Sequence, residues 1–140
     1  MNVIAFRPEH FQRIDLQATQ RMALSYVTPE YTMAIAEAGP ALTVLNGDKV
    51  LGCGGIALMP FGVGMLWAFV DGGAGPHFVA IHRITSRFID AVKVRRLETA
   101  VQDGFQPGCR WVEMLGFQKE GLMRSYGPDG SDFLRYARIR

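Results

Sequence analysis

The sequence has little of what identifies metal sites, disulfide scaffolds and common hydrolases. Only two of its 140 residues are cysteine, Cys53 and Cys109, and neither lies in a CxxC motif or in a Cys/His cluster with metal-ligand spacing. We therefore expect two reduced, partly buried thiols and no metal. His77 and His82 are five residues apart, not the four of a helical metal pair. Neither a Gly-x-Ser-x-Gly elbow nor a phosphate-binding P-loop occurs.

An excess of charge of one sign and a long apolar run are also missing. The net charge is +2 and the basic residues do not form one patch, so there is no electrostatic signal for nucleic acid. The uncharged stretch 50–70 contains five glycines and a proline, which suits paired strands and turns rather than a membrane helix. Charged residues interrupt the first 25 positions, so no secretory signal is expected there. These features favour a cytoplasmic protein, of a bacterium or of an infected host.

What the sequence does contain is enough apolar material for one core. Hydrophobic residues make up 49% and charged residues 20%, and the length suits a single domain covering 1–140. Thr28 before Pro29 predicts the start of a helix, and Asn46-Gly47-Asp48 between two β-rich runs predicts a hairpin turn. The nearly all-apolar run 65–70 predicts a central strand buried on both faces.

Together these patterns predict a mixed α/β (α+β) domain in the order β-α-α-β-β-β-α-β-α-β-β. A mostly antiparallel sheet with helices on both faces would accommodate that order. The expected strands are 3–6, 41–45, 49–57, 65–70, 96–101, one from 117 and 133–139; the expected helices begin at 8, 28, 77 and 106.

This order, and the motifs within it, resemble the GNAT superfamily of N-acyltransferases over nearly the whole chain. The segment 110–121 is similar to the helix–Gly-Phe–strand segment of ribosomal-protein-type N-acetyltransferases. The continuation through 124–133 to a final strand at 136–139 also matches, as does the glycine-containing strand 50–55. The resemblance implies a single GNAT-like domain, while fold alone does not carry function.

The resemblance also implies where acyl-CoA would bind, because the family holds the coenzyme diphosphate at the loop between the central strand and the next helix. Backbone N–H groups and the helix N-terminus bind the phosphates there. Candidate cofactor-binding residues here are Gly72, Gly73, Ala74, Gly75 and His77.

The loop departs from the family pattern of an Arg or Gln followed by spaced glycines. Val70 stands at the basic or amide position, Asp71 brings a negative charge, and Pro76 removes one N–H donor. The loop therefore reads as an eroded version of the coenzyme site.

Compared with the GNAT family, the sequence also has few candidate catalytic groups. The family's frequent acid, a tyrosine four residues before the Gly-Phe pair, is Val112 here. The central strand carries no carboxylate, so Asp71 and Glu98 are the nearest candidates for a general base acting through water. Acyl transfer from a thioester can also proceed largely by positioning and oxyanion stabilisation.

Two functions follow from the resemblance. The favoured one is a GNAT-fold protein with an eroded acyl-CoA site, non-catalytic or weakly active, because compact chains of this kind resemble proteins of tailed bacteriophages. Its expected partners are virion or assembly proteins, or a second copy paired through the C-terminal strand. The alternative is an acetyl-CoA-dependent N-acetyltransferase acting on a protein or small-molecule amine.

Overall fold

Seven strands form one sheet in the computed structural model, which describes all residues from 1 to 140. Their order across the sheet is β1-β2-β3-β4-β5-β7-β6, and every neighbouring pair is antiparallel except β4 and β5. The strands are β1 (Asn2–Ala5), β2 (Ala41–Asn46), β3 (Lys49–Met59), β4 (Val63–Val70), β5 (Arg96–Gln102), β6 (Gln118–Met123) and β7 (Phe133–Ile139). The helices are α1 (Pro29–Glu37), α2 (Phe78–Ala91) and α3 (Gln106–Met114).

Local sequence signals set several of these boundaries. The Thr28 hydroxyl accepts a hydrogen bond from the N–H of Tyr31 at 3.2 Å, so Thr28 caps α1 as predicted, with Pro29 in the first turn. The hairpin between β2 and β3 is present, but its two-residue loop is Gly47-Asp48. Asn46 already pairs with Lys49, and only Gly47 has a positive φ, of 61°.

The N-terminal third differs from its prediction. The helix expected from residue 8 is a 3-10 segment, Pro8–Arg13, and a second 3-10 segment, Ala18–Ser25, follows it. We refer to Ala18–Ser25 as the 18–25 segment. Few side chains of these short segments are buried, and tertiary contacts rather than helical periodicity hold them against the sheet.

The two faces of the sheet carry separate apolar clusters. One face packs against the N-terminal segments and α1, through a cluster that includes Phe11, Leu16 and Phe69. The opposite face packs against α2 and α3, through a cluster that includes Ile89, Leu97 and Val112. Helices therefore cover both faces, which confirms the predicted fold class.

The strand β4 is less buried than predicted. Apart from Gly64 and Phe69, its side chains are half-exposed, because β4 pairs with β5 over only three residues, Val63–Met65 with Arg96–Glu98. Beyond Met65 the two strands separate. The sheet thus consists of two halves, β1–β4 and β5-β7-β6, joined by this short parallel ladder.

The C-terminal strand cannot pair with a second copy as expected. It lies between β5 and β6 in the sheet, so both of its backbone edges are occupied, and the free edges belong to β1 and β6. None of the helices has the length and apolar composition that crossing a membrane requires.

Candidate functional site

A cleft opens where β4 and β5 separate. Its volume is about 500 Å³, and mostly apolar residues line it. Thr99 on β5 spans the narrow end by donating its hydroxyl hydrogen to the carbonyl oxygen of Leu66 on β4, at 3.0 Å. The cleft runs from this point toward the end of β4, the 18–25 segment and the turn at 126–128.

The edge of β4 that faces the cleft is already hydrogen-bonded by the chain itself. The Gln20 side-chain amide donates to the carbonyl oxygen of Ala68 and accepts from the N–H of Val70, both at 2.8 Å. The backbone N–H of Gln17 donates to the carbonyl oxygen of Val70 at 3.0 Å. The Gln20 amide therefore takes the place that an amide group of an extended ligand would take along this edge.

The loop after β4 uses most of its backbone N–H groups internally. Gly75 is the exception among the five residues predicted to bind the cofactor, since its backbone N–H makes no such hydrogen bond and an added Cβ there would meet no atom within 4 Å. The internal bonds run from Gly72 to the Asp15 carbonyl (2.8 Å), from Gly73 to the Asp71 carboxylate (2.8 Å), from Ala74 to the Asp71 carbonyl (3.1 Å) and from His77 to the Ala74 carbonyl (2.9 Å).

Asp71 is buried under this loop and does not line the cleft. Its carboxylate accepts the N–H groups of Gly73 and Asp15 and lies 3.4 Å from the Lys49 ammonium nitrogen. Burial by itself raises the pKa of this carboxyl, but the two amide hydrogen bonds and Lys49 outweigh it, so the pKa lies below its ordinary value. Asp71 fixes the loop conformation; a base role stays a prediction that this geometry does not favour.

Glu98 also lies outside the cleft lining. Its carboxylate oxygens are 3.0 Å from Arg96 Nε and 3.5 Å from Arg135 Nη1. Its carboxylate is therefore engaged by two guanidinium groups and is not part of the cleft surface. Its role as a base likewise stays a prediction.

His77 occupies the N-cap position of α2. Its half-buried ring makes no hydrogen bond, so it does not cap the helix through its side chain. Val112, at the position of the family's tyrosine, is buried in the core between α3 and the sheet. Cys53 borders the cleft, but burial raises the pKa of its thiol to about 12, so it stays protonated at neutral pH and cannot serve as a nucleophile.

Three tyrosines that the sequence reasoning missed lie along the cleft: Tyr26, Tyr31 and Tyr126. Burial, with the neighbouring tyrosines, raises the pKa of both Tyr26 and Tyr31, so their hydroxyls remain protonated donors. Tyr26 and Tyr31 lie five residues apart around the start of α1, but Tyr126 is nearly a hundred residues further along the chain, and no motif links it to them. Only the tertiary structure brings them together.

No group of three or more histidine, cysteine, aspartate or glutamate side chains is arranged to hold a metal ion. The candidate site therefore consists of the cleft, the loop after β4 and the three tyrosines.

Comparisons with solved structures agree with the topology. The chain is similar to the ribosomal-protein-S18-alanine N-acetyltransferase of Escherichia coli, with a TM-score of 0.77 and 14% identity over 99% of this chain and 92% of that one. It is also similar to the ribosomal-protein-alanine N-acetyltransferase of Brucella melitensis, with a TM-score of 0.72 and 17% identity over 100% of both chains. A spermidine N-acetyltransferase mutant from Vibrio cholerae gives a TM-score of 0.69 at 11% identity, over 99% of this chain and 95% of that one.

No family model matches the chain, and no curated protein matches its sequence. At identities this low the structural likeness establishes the fold alone. The chain therefore has the GNAT fold, as its sequence predicted, and its activity has to be argued from its own residues.

The fit of acyl-CoA to this chain is good in shape and incomplete in hydrogen bonding. The apolar cleft beside β4 matches an extended arm, and the open space around Gly75 leaves room for a close approach of phosphate. The groups on β4 that would pair with the arm are held by Gln17 and Gln20. A coenzyme arm would pair with Ala68 and Val70 only after the Gln20 side chain had moved away, and the Val70 carbonyl would still be held by Gln17.

Proposed function

We propose that the protein is an acyl-CoA-dependent N-acyltransferase. The observation that carries this proposal is the separation of β4 from β5 after Met65, which opens a cleft of about 500 Å³ lined by the end of β4 and by the three tyrosines. The loop that follows β4 does not itself line the cleft. When bound, the coenzyme supplies an acyl thioester whose carbonyl carbon forms a bond to the acceptor nitrogen as the bond to sulfur breaks. The acceptor loses a proton and the thiol gains one.

The chain's own groups have distinct tasks in this proposal. Gly75 and the N-terminus of α2 would hold the diphosphate, and the backbone of Ala68 and Val70 would align the arm after the Gln20 side chain moves away. Tyr31 lines the cleft with a raised pKa that keeps its hydroxyl protonated, and it would donate a proton to the leaving thiolate. The rest of the rate acceleration would come from holding the acyl thioester and the acceptor amine next to each other.

The test is binding of acetyl-CoA to two matched glycine variants. Gly75 and Gly121 both have open space at their Cβ positions, but only Gly75 lies in the loop after β4. Saturating acetyl-CoA, at a hundred times Kd, should stabilise the wild type by about 2.7 kcal/mol, a rise of several degrees in Tm. Gly75→Glu should lose this shift and Gly121→Glu should keep it. Absence of any shift at millimolar acetyl-CoA, in the wild type and in Gln20→Ala, would remove the proposal.

A second candidate is the non-catalytic GNAT-fold protein that the eroded loop suggested. One observation favours it: the backbone groups that would meet a coenzyme are engaged by Gln17, Gln20 and Asp71. Virion or assembly proteins, or a second copy of the chain, would then be its partners, although no surface of the chain singles out one of them. Its two free thiols suit a reducing compartment such as the cytoplasm. This role would be established if Gly75→Glu bound the same partner protein as the wild type and no variant bound acetyl-CoA.

A further inference from the structure

The cleft is lined without a single charged side chain. Its 36 lining residues include no aspartate, glutamate, lysine, arginine or histidine. Its polar groups are glutamine amides, threonine and tyrosine hydroxyls, the indole N–H groups of two tryptophans, the Cys53 thiol and backbone atoms. An amine that enters this cleft therefore meets neither a carboxylate to pair with nor a base to take its proton.

The nearest charges outside the lining do not change this. Arg135 lies behind Met65 and Tyr126: its guanidinium carbon is 5.7 Å from the centre of the Tyr126 ring, and one of its nitrogens is 3.4 Å from the Met65 sulfur. Glu98, on the same face of β5 as Gln102, is paired with Arg135 and Arg96, and Arg96 also pairs with Glu120. The two guanidinium groups and two carboxylates balance, so neither carboxylate is left unpaired to bind an incoming ammonium group.

Aromatic rings form the end of the cleft away from the loop. Tyr26 and Tyr31 meet edge to face with their ring centres 5.5 Å apart, and Tyr126 lies 5.6 Å from Phe133. All four rings line the cleft. This surface suits an apolar or aromatic body, which such rings bind by area and by edge-to-face contacts.

Burying an ammonium group without a partner is costly, and an amine must in any case be neutral to attack an acyl carbon. We propose that the acceptor is a weakly basic amine on an aromatic or apolar body, an arylamine in its simplest form, which enters the cleft uncharged. This inference rests on the proposed function and names the acceptor class for the same site. It excludes polyamines and other strongly basic alkylamines at neutral pH.

The test compares two isomeric amines, 4-methylaniline and benzylamine, with spermidine as a polycation. Binding to the chain without coenzyme is measured by NMR at pH 7, and acetylation is measured separately with acetyl-CoA. We expect 4-methylaniline to bind at least about tenfold more tightly than benzylamine, and spermidine not to bind. Binding of benzylamine should strengthen about tenfold per pH unit as its neutral fraction grows. Benzylamine or spermidine binding as tightly as 4-methylaniline at pH 7, or no binding by 4-methylaniline, overturns the inference.

A charge-only variant sharpens the test. Gln102 lines the cleft on the same face of β5 as Glu98, opposite Phe133 on β7. Gln102→Glu adds a carboxylate with almost no change in shape, so the preference for 4-methylaniline over benzylamine should fall about tenfold. Gln118→Glu adds the same charge on exposed β6 and should leave the preference unchanged. An unchanged preference in Gln102→Glu contradicts the inference. Failure of acetylation despite selective binding counts against the proposed function instead.

Discussion

Gln20 is the residue on which access to the site depends. Its amide spans the carbonyl of Ala68 and the N–H of Val70, so a ligand that uses this edge has to displace two hydrogen bonds. Each such bond contributes about 0.5–1.5 kcal/mol net, and 1.4 kcal/mol corresponds to about tenfold in Kd. We therefore expect Gln20→Ala to bind acetyl-CoA about tenfold more tightly than the wild type, by isothermal titration calorimetry, although it lowers the free energy of unfolding.

The matched control is Gln12→Ala, since Gln12 is exposed and lies outside the cleft. Its affinity for acetyl-CoA should equal that of the wild type. Equal affinities in the wild type and Gln20→Ala would mean that Gln20 only ties the 18–25 segment to the sheet.

His10 is a buried titratable side chain whose effect is on stability. Its Nδ1 accepts the N–H of Arg7 at 3.0 Å and lies 2.8 Å from the Thr43 hydroxyl oxygen. Burial is the main cause of a pKa below the ordinary 6.5, with Arg13 and Arg7 adding to it and Glu9 opposing it. Below pH 6.5 the unfolded chain binds a proton that the folded chain does not, so the free energy of unfolding should fall as the pH falls.

Urea unfolding at pH 7.5 and pH 5.5 measures this effect. The fall in the free energy of unfolding should be smaller in His10→Asn, which keeps a polar group near the position of Nδ1 but does not titrate. A pH dependence identical in the two proteins would show that His10 protonates equally in the folded and unfolded chains.

At the scale of elements, the start of α1 connects helix capping to the site. Thr28 accepts the N–H of Tyr31, one of the cleft tyrosines, so the cap fixes the first turn that presents this ring. Thr28→Ala should lower the free energy of unfolding by about 1 kcal/mol, a few degrees in Tm by differential scanning calorimetry. Thr28→Ser keeps the hydroxyl acceptor and should lose much less. Equal losses in both variants would assign the effect to the methyl group and not to the cap.

The elements also show which sequence signals were sufficient. Where the cues are local and strong, as at Thr28-Pro29 or for the helix expected from residue 77, the prediction was confirmed, the latter as α2. The 18–25 segment has no comparable cue, because its 3-10 turns are held by contacts such as Gln20 with β4. The reduced burial of β4 was also missed, since an apolar run looks the same beside a partner strand and beside a cleft.

At the scale of the whole molecule, the sheet has two halves joined by three residue pairs between β4 and β5. A ligand in the cleft would contact both halves and add a second connection between them. We expect saturating acetyl-CoA to slow amide hydrogen exchange in β2–β4 and in β5–β7 alike, with the largest added protection at Gly75. Gly75→Glu should show no such slowing. Protection limited to one half would mean that the ligand binds outside the cleft.

The sequence by itself determined the order of the seven strands and of the helices α1, α2 and α3, and the position of the loop after the central strand. These depend on hydrophobic period, capping and turn residues, all of which act between near neighbours in the chain. The tertiary structure alone decided that Gln20 occupies the edge of β4, that Asp71 lies buried under its loop, and that Tyr126 lines the same uncharged cleft as Tyr26 and Tyr31. Such contacts join residues far apart in the chain, and their geometry depends on how the elements pack, which no local pattern encodes.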